Sequence, residues 1–174
     1  MRIFIMTLLL SIYASATVIV LPDNFTADFV QKITNTKKKT IDYSGKVRFS
    51  NPSLLKWSYA KPTQKEVCTT REELTVVDHD LEQVSYYRIH KGFNFSKILK
   101  KAKLYSKNIY VAKYENKHYT IQVDTKKRLQ SIAYYDDLDN KVQIVFKNVK
   151  YGKGSLSKKS MHCQVPNNYD EIRG

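Results

Sequence analysis

Apolar residues recur at every second position through most of this chain, and the stretch Gly45 to Pro62, GKVRFSNPSLLKWSYAKP, shows the pattern most clearly. Val47 and Phe49 fall on one face while Lys46, Arg48 and Ser50 fall on the other, which is the period of a half-buried strand. Pro52 cannot donate to a sheet ladder, so it marks a turn, a bulge or an edge position. Beyond it Leu55, Trp57 and Tyr59 share a face, and Pro62 closes this second run. The two runs make a wide apolar surface carrying the chain's single Trp. Such a surface either packs a core or encloses an apolar ligand, and periodicity alone leaves both open.

The alternation continues at Val67, Leu74 to Val77, Val84 to Ile89, Ile109 to Tyr114, Tyr119 to Val123, Leu129 to Tyr135, Val142 to Val149 and Met161 to Val165. With the two strands already described this makes about ten, separated by short polar loops such as Asp136-Asp137-Leu138-Asp139-Asn140. Strands spaced this closely suit an antiparallel meander that curls into all or part of a barrel.

Two segments read as helices. Phe25, Phe29 and Ile33 recur every four residues with Val30 alongside, and Asp23 or Asn24 can cap the start. Phe95, Ile98, Leu99, Ala102 and Tyr105 form a second stripe, capped by Asn94 and backed by Lys97, Lys100, Lys101 and Lys103. An amphipathic helix set within a meander must bury its stripe, and the concave face of the curled sheet is where it can. The expected fold is mainly β (α+β): an incompletely closed antiparallel barrel with a helical lid over its apolar concave face.

At the amino terminus Arg2 precedes the apolar run IFIMTLLLSIY and then Ala14-Ser15-Ala16, the layout of a secretory signal peptide. The run is short of the ~20 residues a spanning helix needs. Cleavage is expected after Ala16, with an uncleaved anchor as the alternative. Residues 17–174, with no repeat or linker, are expected to form a single domain. Thr17 stands where a lipoprotein would need the cysteine that carries its acyl chains.

Export also frames the two cysteines, Cys68 and Cys163. An oxidising compartment permits a bridge, and closing a loop of that length would contribute up to roughly 4 to 5 kcal/mol. Buried free thiols are the alternative. A catalytic thiol is a poor reading, because His162 and Cys163 are neighbours that point to opposite faces of a strand.

Thirty Lys and Arg stand against sixteen Asp and Glu, a formal charge of +14. Such a surface favours anionic partners. Export argues against cytoplasmic nucleic acid, no compact recognition motif appears among the lysines, and no nucleic-acid partner is expected. A cationic β-domain that binds anionic envelope surfaces is the function class that charge alone supports. His79, His90, His118 and His162 have no metal-ligand spacing, and Asp78, Asp80 and Asp136-Asp137 read as turn residues. No enzyme, cofactor or metal site is expected, and the chain is expected to be a monomer.

The order of these segments resembles the LolA family, the periplasmic carriers of outer-membrane lipoproteins. FTADFVQKI, Phe25 to Ile33, is similar to the family's opening helix. Gly45 to Tyr59 resembles its glycine, alternating strand, proline, apolar pair and Trp, with Lys61-Pro62 following. Leu81-Glu82-Gln83-Val84, after Asp78 and Asp80, resembles its Glu-Gln segment, and the late strands and Pro166 match in order. The resemblance implies a non-catalytic periplasmic chaperone that shelters the acyl chains of lipoproteins. It would take them from an inner-membrane ABC transporter to the outer membrane, through an acceptor lipoprotein where one exists. A carrier of another lipid is the nearest alternative. On this reading Val47, Phe49, Leu55, Trp57 and Tyr59 floor a lipid cavity, and Phe95, Ile98 and Leu99 belong to a lid that competes with cargo for it. Asn51 is a departure, since family members carry there an arginine that ties barrel to lid.

Overall fold

A computed structural model describes residues 19–50, 52–70, 72–89 and 94–173. The expected signal peptide, the Asn51 latch position and His90 lie outside these residues. Among those described, a single 12-stranded sheet runs in the order β12-β6-β5-β4-β3-β2-β1-β11-β10-β9-β8-β7. The first meander comprises β1 (Asn24–Thr34), β2 (Thr40–Ser50), β3 (Leu54–Lys61), β4 (Lys65–Thr69), β5 (Glu73–Asp78) and β6 (Gln83–Arg88). After the short helix α1 (Phe95–Lys100) comes a second, β7 (Lys103–Ser106), β8 (Ile109–Tyr114), β9 (Lys117–Val123), β10 (Leu129–Tyr135) and β11 (Lys141–Gly152). Helix α2 (Lys158–Met161) and strand β12 (Asp170–Arg173) complete the chain. Every neighbouring pair is antiparallel except β12 with β6. The long β1–β11 ladder, from Asn24 opposite Gly152 to Thr34 opposite Lys141, zips the two meanders together. The edges β7 and β12 do not pair, so the curved sheet stays open.

The opening segment is a strand, not the helix its spacing suggested. Phe25, Phe29 and Ile33 are separated by four, an even number, so they share a face in a strand as well as in a helix. The intervening Ala27 and Gln31 decide between the two: both are buried on that same face, while Val30 and Lys32 point to water. Ladders on both sides supply the backbone partners that a lone helix would have to make for itself.

The second expected helix is shorter than its stripe. Asn94 caps it, its Oδ1 accepting from the Lys97 N–H at 2.9 Å, but it ends at Lys100. Residues 103–106 are the edge strand β7, with Tyr105 exposed. The turn to β8 places Asn108 at φ 62°, a left-handed conformation that Asn tolerates, and the hairpin so formed takes the chain out of the helix. The lid is therefore one six-residue helix.

Met161 to Val165 is not a strand. Met161 ends α2, and the segment beyond it bonds to side chains rather than to a ladder: the Gln164 N–H donates to Glu66 Oε2 at 2.9 Å, and the His162 carbonyl accepts from Lys56 Nζ at 2.8 Å. Its alternation reflects a strap lying on the sheet. The strap runs from β11 to the far edge across the convex face, where Arg48 donates to the Ser160 carbonyl at 3.2 Å and Cys68 is disulfide-bonded to Cys163, their Cα atoms 5.7 Å apart.

Asp78, Asp80 and Asp136 act as turn residues. Asp78 Oδ1 accepts the Asp80 and Leu81 N–H groups, Asp80 accepts from Gln64, and Asp136 Oδ1 accepts from Leu138 and Asn140.

Candidate functional site

The concave face gathers one apolar cluster from β1, β2, β3 and β8 to β11. Strand registers put Val47 opposite Trp57 and Phe49 opposite Leu55, with Ala27 and Phe25 across the other side of β2. All of these point inward. Phe29 lies across from Phe146, and Ile132 lies between Ile121 and Ile144, which carries the same face through β11, β10 and β9.

The aromatic rings are in direct contact. Phe25 stacks on Phe49 at 5.4 Å, Phe29 meets Trp57 edge to face at 4.8 Å, and Trp57 lies 6.2 Å from Phe146. Helix α1 sits within this concavity: Phe95 lies 5.1 Å from Phe49 and 5.4 Å from Phe25, and Ile98 and Leu99 are buried in the same cluster. Ser96 pins the helix to the β2–β3 turn, its hydroxyl donating to the Pro52 carbonyl at 2.8 Å.

Of the residues singled out from sequence, Val47, Phe49, Leu55, Trp57, Phe95, Ile98 and Leu99 are all buried members of this one cluster, and Tyr59 packs at its margin. Sequence reasoning missed the contribution of β1 and of β8 to β11. The signal was available as strict alternation, in Tyr110, Ala112 and Tyr114, in Tyr119, Ile121 and Val123, and in Val142, Ile144 and Phe146.

The two ends of the concavity differ. At one, Phe95 and Tyr151 pack against Phe25. At the other, towards the β1–β2, β8–β9 and β10–β11 turns, the inward groups become amphipathic: Gln31, Tyr43, Tyr59, Tyr119 and Tyr134. The Tyr59 hydroxyl donates to Gln31 Oε1 at 3.0 Å, and the ring pairs Tyr43–Tyr59 and Tyr119–Tyr134 lie 5.7 and 5.2 Å apart. Burial, reinforced by the neighbouring phenol Tyr119 and by Asp136, pushes the Tyr134 hydroxyl up to about 12. The Tyr59 hydroxyl is raised further, by burial first and then by Tyr134 and Tyr43.

Glu66, Cys68 and Cys163 approach as a potential metal-ligand group, but both sulfurs are spent in the disulfide and Glu66 pairs with the buried Lys56 at 2.9 Å. Lys56 is thereby a buried clamp on the strap.

Residues 22–108 match the family model described as outer membrane lipoprotein carrier protein LolA. An outer-membrane lipoprotein carrier protein of Campylobacter jejuni is 35% identical over 87% of this chain and 87% of its own. One from Wolinella succinogenes is 32% identical over 73% of this chain and 74% of its own. Among solved structures, an uncharacterized conserved protein from Thermus thermophilus shares the fold, with a TM-score of 0.55 at 10% identity over 88% of this chain and 92% of that one.

Proposed function

Because this chain belongs to the LolA family of outer-membrane lipoprotein carrier proteins, we propose that it is a non-enzymatic periplasmic carrier that shelters the acyl chains of lipoproteins in the concavity of its sheet. The observation that carries this reading is the position of α1. A six-residue helix fills an apolar trough with Phe95, Ile98 and Leu99, so the trough is kept dry by a small element that acyl chains can displace. Each CH₂ that takes its place contributes about 0.8 kcal/mol, while the lost lid contacts oppose binding and keep affinity intermediate. That balance suits a carrier, which must hold cargo across water and then release it.

Val47, Phe49, Leu55, Trp57 and Tyr59 are the floor in this proposal. The chain would be exported by residues 1–16 and would work as a single-domain monomer. Cargo would come from an inner-membrane ABC transporter and pass to the outer membrane, through an acceptor lipoprotein where one exists.

Native mass spectrometry of the protein purified from the periplasm tests the proposal. The expected result is a complex with acylated protein that persists at about 1 M salt, where charges are screened within ~3 Å. Recovery of the bare chain alone, with added acylated lipopeptide also failing to bind, would overturn it. Binding that vanishes with salt would favour the cationic-surface reading instead.

A further inference from the structure

The amphipathic end of the concavity has a chemistry that the apolar floor lacks. Tyr59 on β3, Tyr43 on β2, Gln31 on β1, Tyr134 on β10 and Tyr119 on β9 form a band across adjacent strands, interrupted only by the apolar residues of β11. Tyr119 belongs to the apolar cluster, Tyr59 and Tyr134 pack against it, and Tyr43 lies on the Tyr59 ring, so apolar rings and polar hydroxyls meet here as they do where an apolar medium meets water. Lys65 lies outside the band, its ammonium 5.3 Å from the Tyr43 ring and 5.6 Å from that of Tyr59.

We propose that Gln31, Tyr59, Tyr119 and Tyr134 are an ester-binding belt, whose hydroxyl and amide donors hold the carbonyl oxygens that join acyl chains to glycerol while the chains lie on the Phe, Trp and Ile floor. The proposal rests on the lipid-carrier reading and specifies which end of the lipid lies where. At the opposite end Phe95 and Tyr151 pack on Phe25, so the polar head group belongs at the tyrosine end. An ester carbonyl only accepts, and the belt supplies donors to match it. The internal bond from Tyr59 to Gln31 is the contact that a bound carbonyl replaces. Burial keeps the phenols protonated, hence able to donate, far above neutral pH.

The test compares a diacylglyceryl lipopeptide with its dialkyl ether analogue, which has the same chains and no carbonyls. The wild-type protein should bind the ester about tenfold more tightly, the effect of one or two neutral hydrogen bonds. The double variant Tyr59→Phe, Tyr134→Phe should bring the ratio to within about twofold. Tyr135→Phe, an exposed phenol outside the belt, should keep the wild-type ratio. Phosphatidylglycerol as a third probe separates the sources: equal affinity assigns the belt to glycerol esters generally, and weaker affinity assigns it to acylated protein.

The belt is refuted if the wild type shows no ester preference or the double variant retains it. Should the double variant also lose the ether probe, the single Tyr→Phe variants decide by the same ratio. Failure of the wild type to bind either probe would instead sink the carrier reading.

Discussion

Gly45 faces Phe29 across one ladder and Tyr59 across the other, at the irregularity where β2 shifts register against β3. A Cβ there would press into the Ser58 carbonyl and come within 2.9 Å of the Tyr59 Cα. These are backbone atoms that cannot swing aside, so Gly45→Ala should destabilise the fold by about 2 kcal/mol or more, read as a lower urea midpoint at unchanged slope. Trp57 tests the floor directly. Its indole meets Phe29 edge to face within the concavity, so its emission should change when acylated lipopeptide binds and stay constant with the deacylated peptide. An unchanged spectrum at saturating lipid would return Trp57 to an ordinary core role. Residues of this kind were legible from sequence, because alternation in an unambiguous strand names the inward face. Gln31 and Lys56 were not, since a buried polar side chain looks like any solvated one until its partner, Tyr59 or Glu66, is placed beside it on a neighbouring element.

Elements were legible where their period was unique. Apolar residues four apart in β1 satisfy strand and helix alike, and the choice fell to neighbours on both sides that local sequence does not display. The stripe from Phe95 to Tyr105 failed differently: its first turn is a helix, but the hairpin through Asn108 claims the rest as an edge strand. This leaves α1 a single short turn-and-a-half held by Asn94, Ser96 and three apolar side chains. Isolated helices so short are marginal, which makes α1 an element that tertiary contacts alone retain. Leu99→Ala should therefore loosen the closed position. Truncating a buried leucine costs about 2–5 kcal/mol where the site cannot relax. If the lid and cargo compete, the part of that cost borne only by the closed form should appear as tighter binding, of about tenfold for each ~1.4 kcal/mol. Uptake and release of acylated lipopeptide at wild-type rates would rule out competition.

Taken whole, the molecule uses its two long connections on opposite faces. The link from β6 to β7 carries α1 into the concavity, and the link from β11 to β12 crosses the convex side as the strap. The concave side contributes to the alkaline limit. Tyr119 and Tyr134 titrate at about 12 when folded against about 10 in an unfolded chain. The unfolded state thus loses these protons first, and stability, complete below about pH 10, falls as pH rises to 12. Phenolate absorbance should show a class of tyrosines ionising only in that window, together with unfolding. The convex side carries the disulfide. Cys68–Cys163 spans 95 residues, a loop whose closure contributes up to about 4–5 kcal/mol on the chain-entropy model and often less. Both sulfurs lie on the face away from Trp57, because Cys68 pairs with Lys56 and alternates with Val67, the partner of Trp57. Replacing both cysteines by serine should therefore lower the thermal midpoint by several degrees, about 3 kcal/mol, while lipopeptide affinity at a temperature where the variant is folded stays within about twofold. A matching loss of affinity would mean that the strap and the concavity are coupled through the sheet, and that the convex face takes part in carrying.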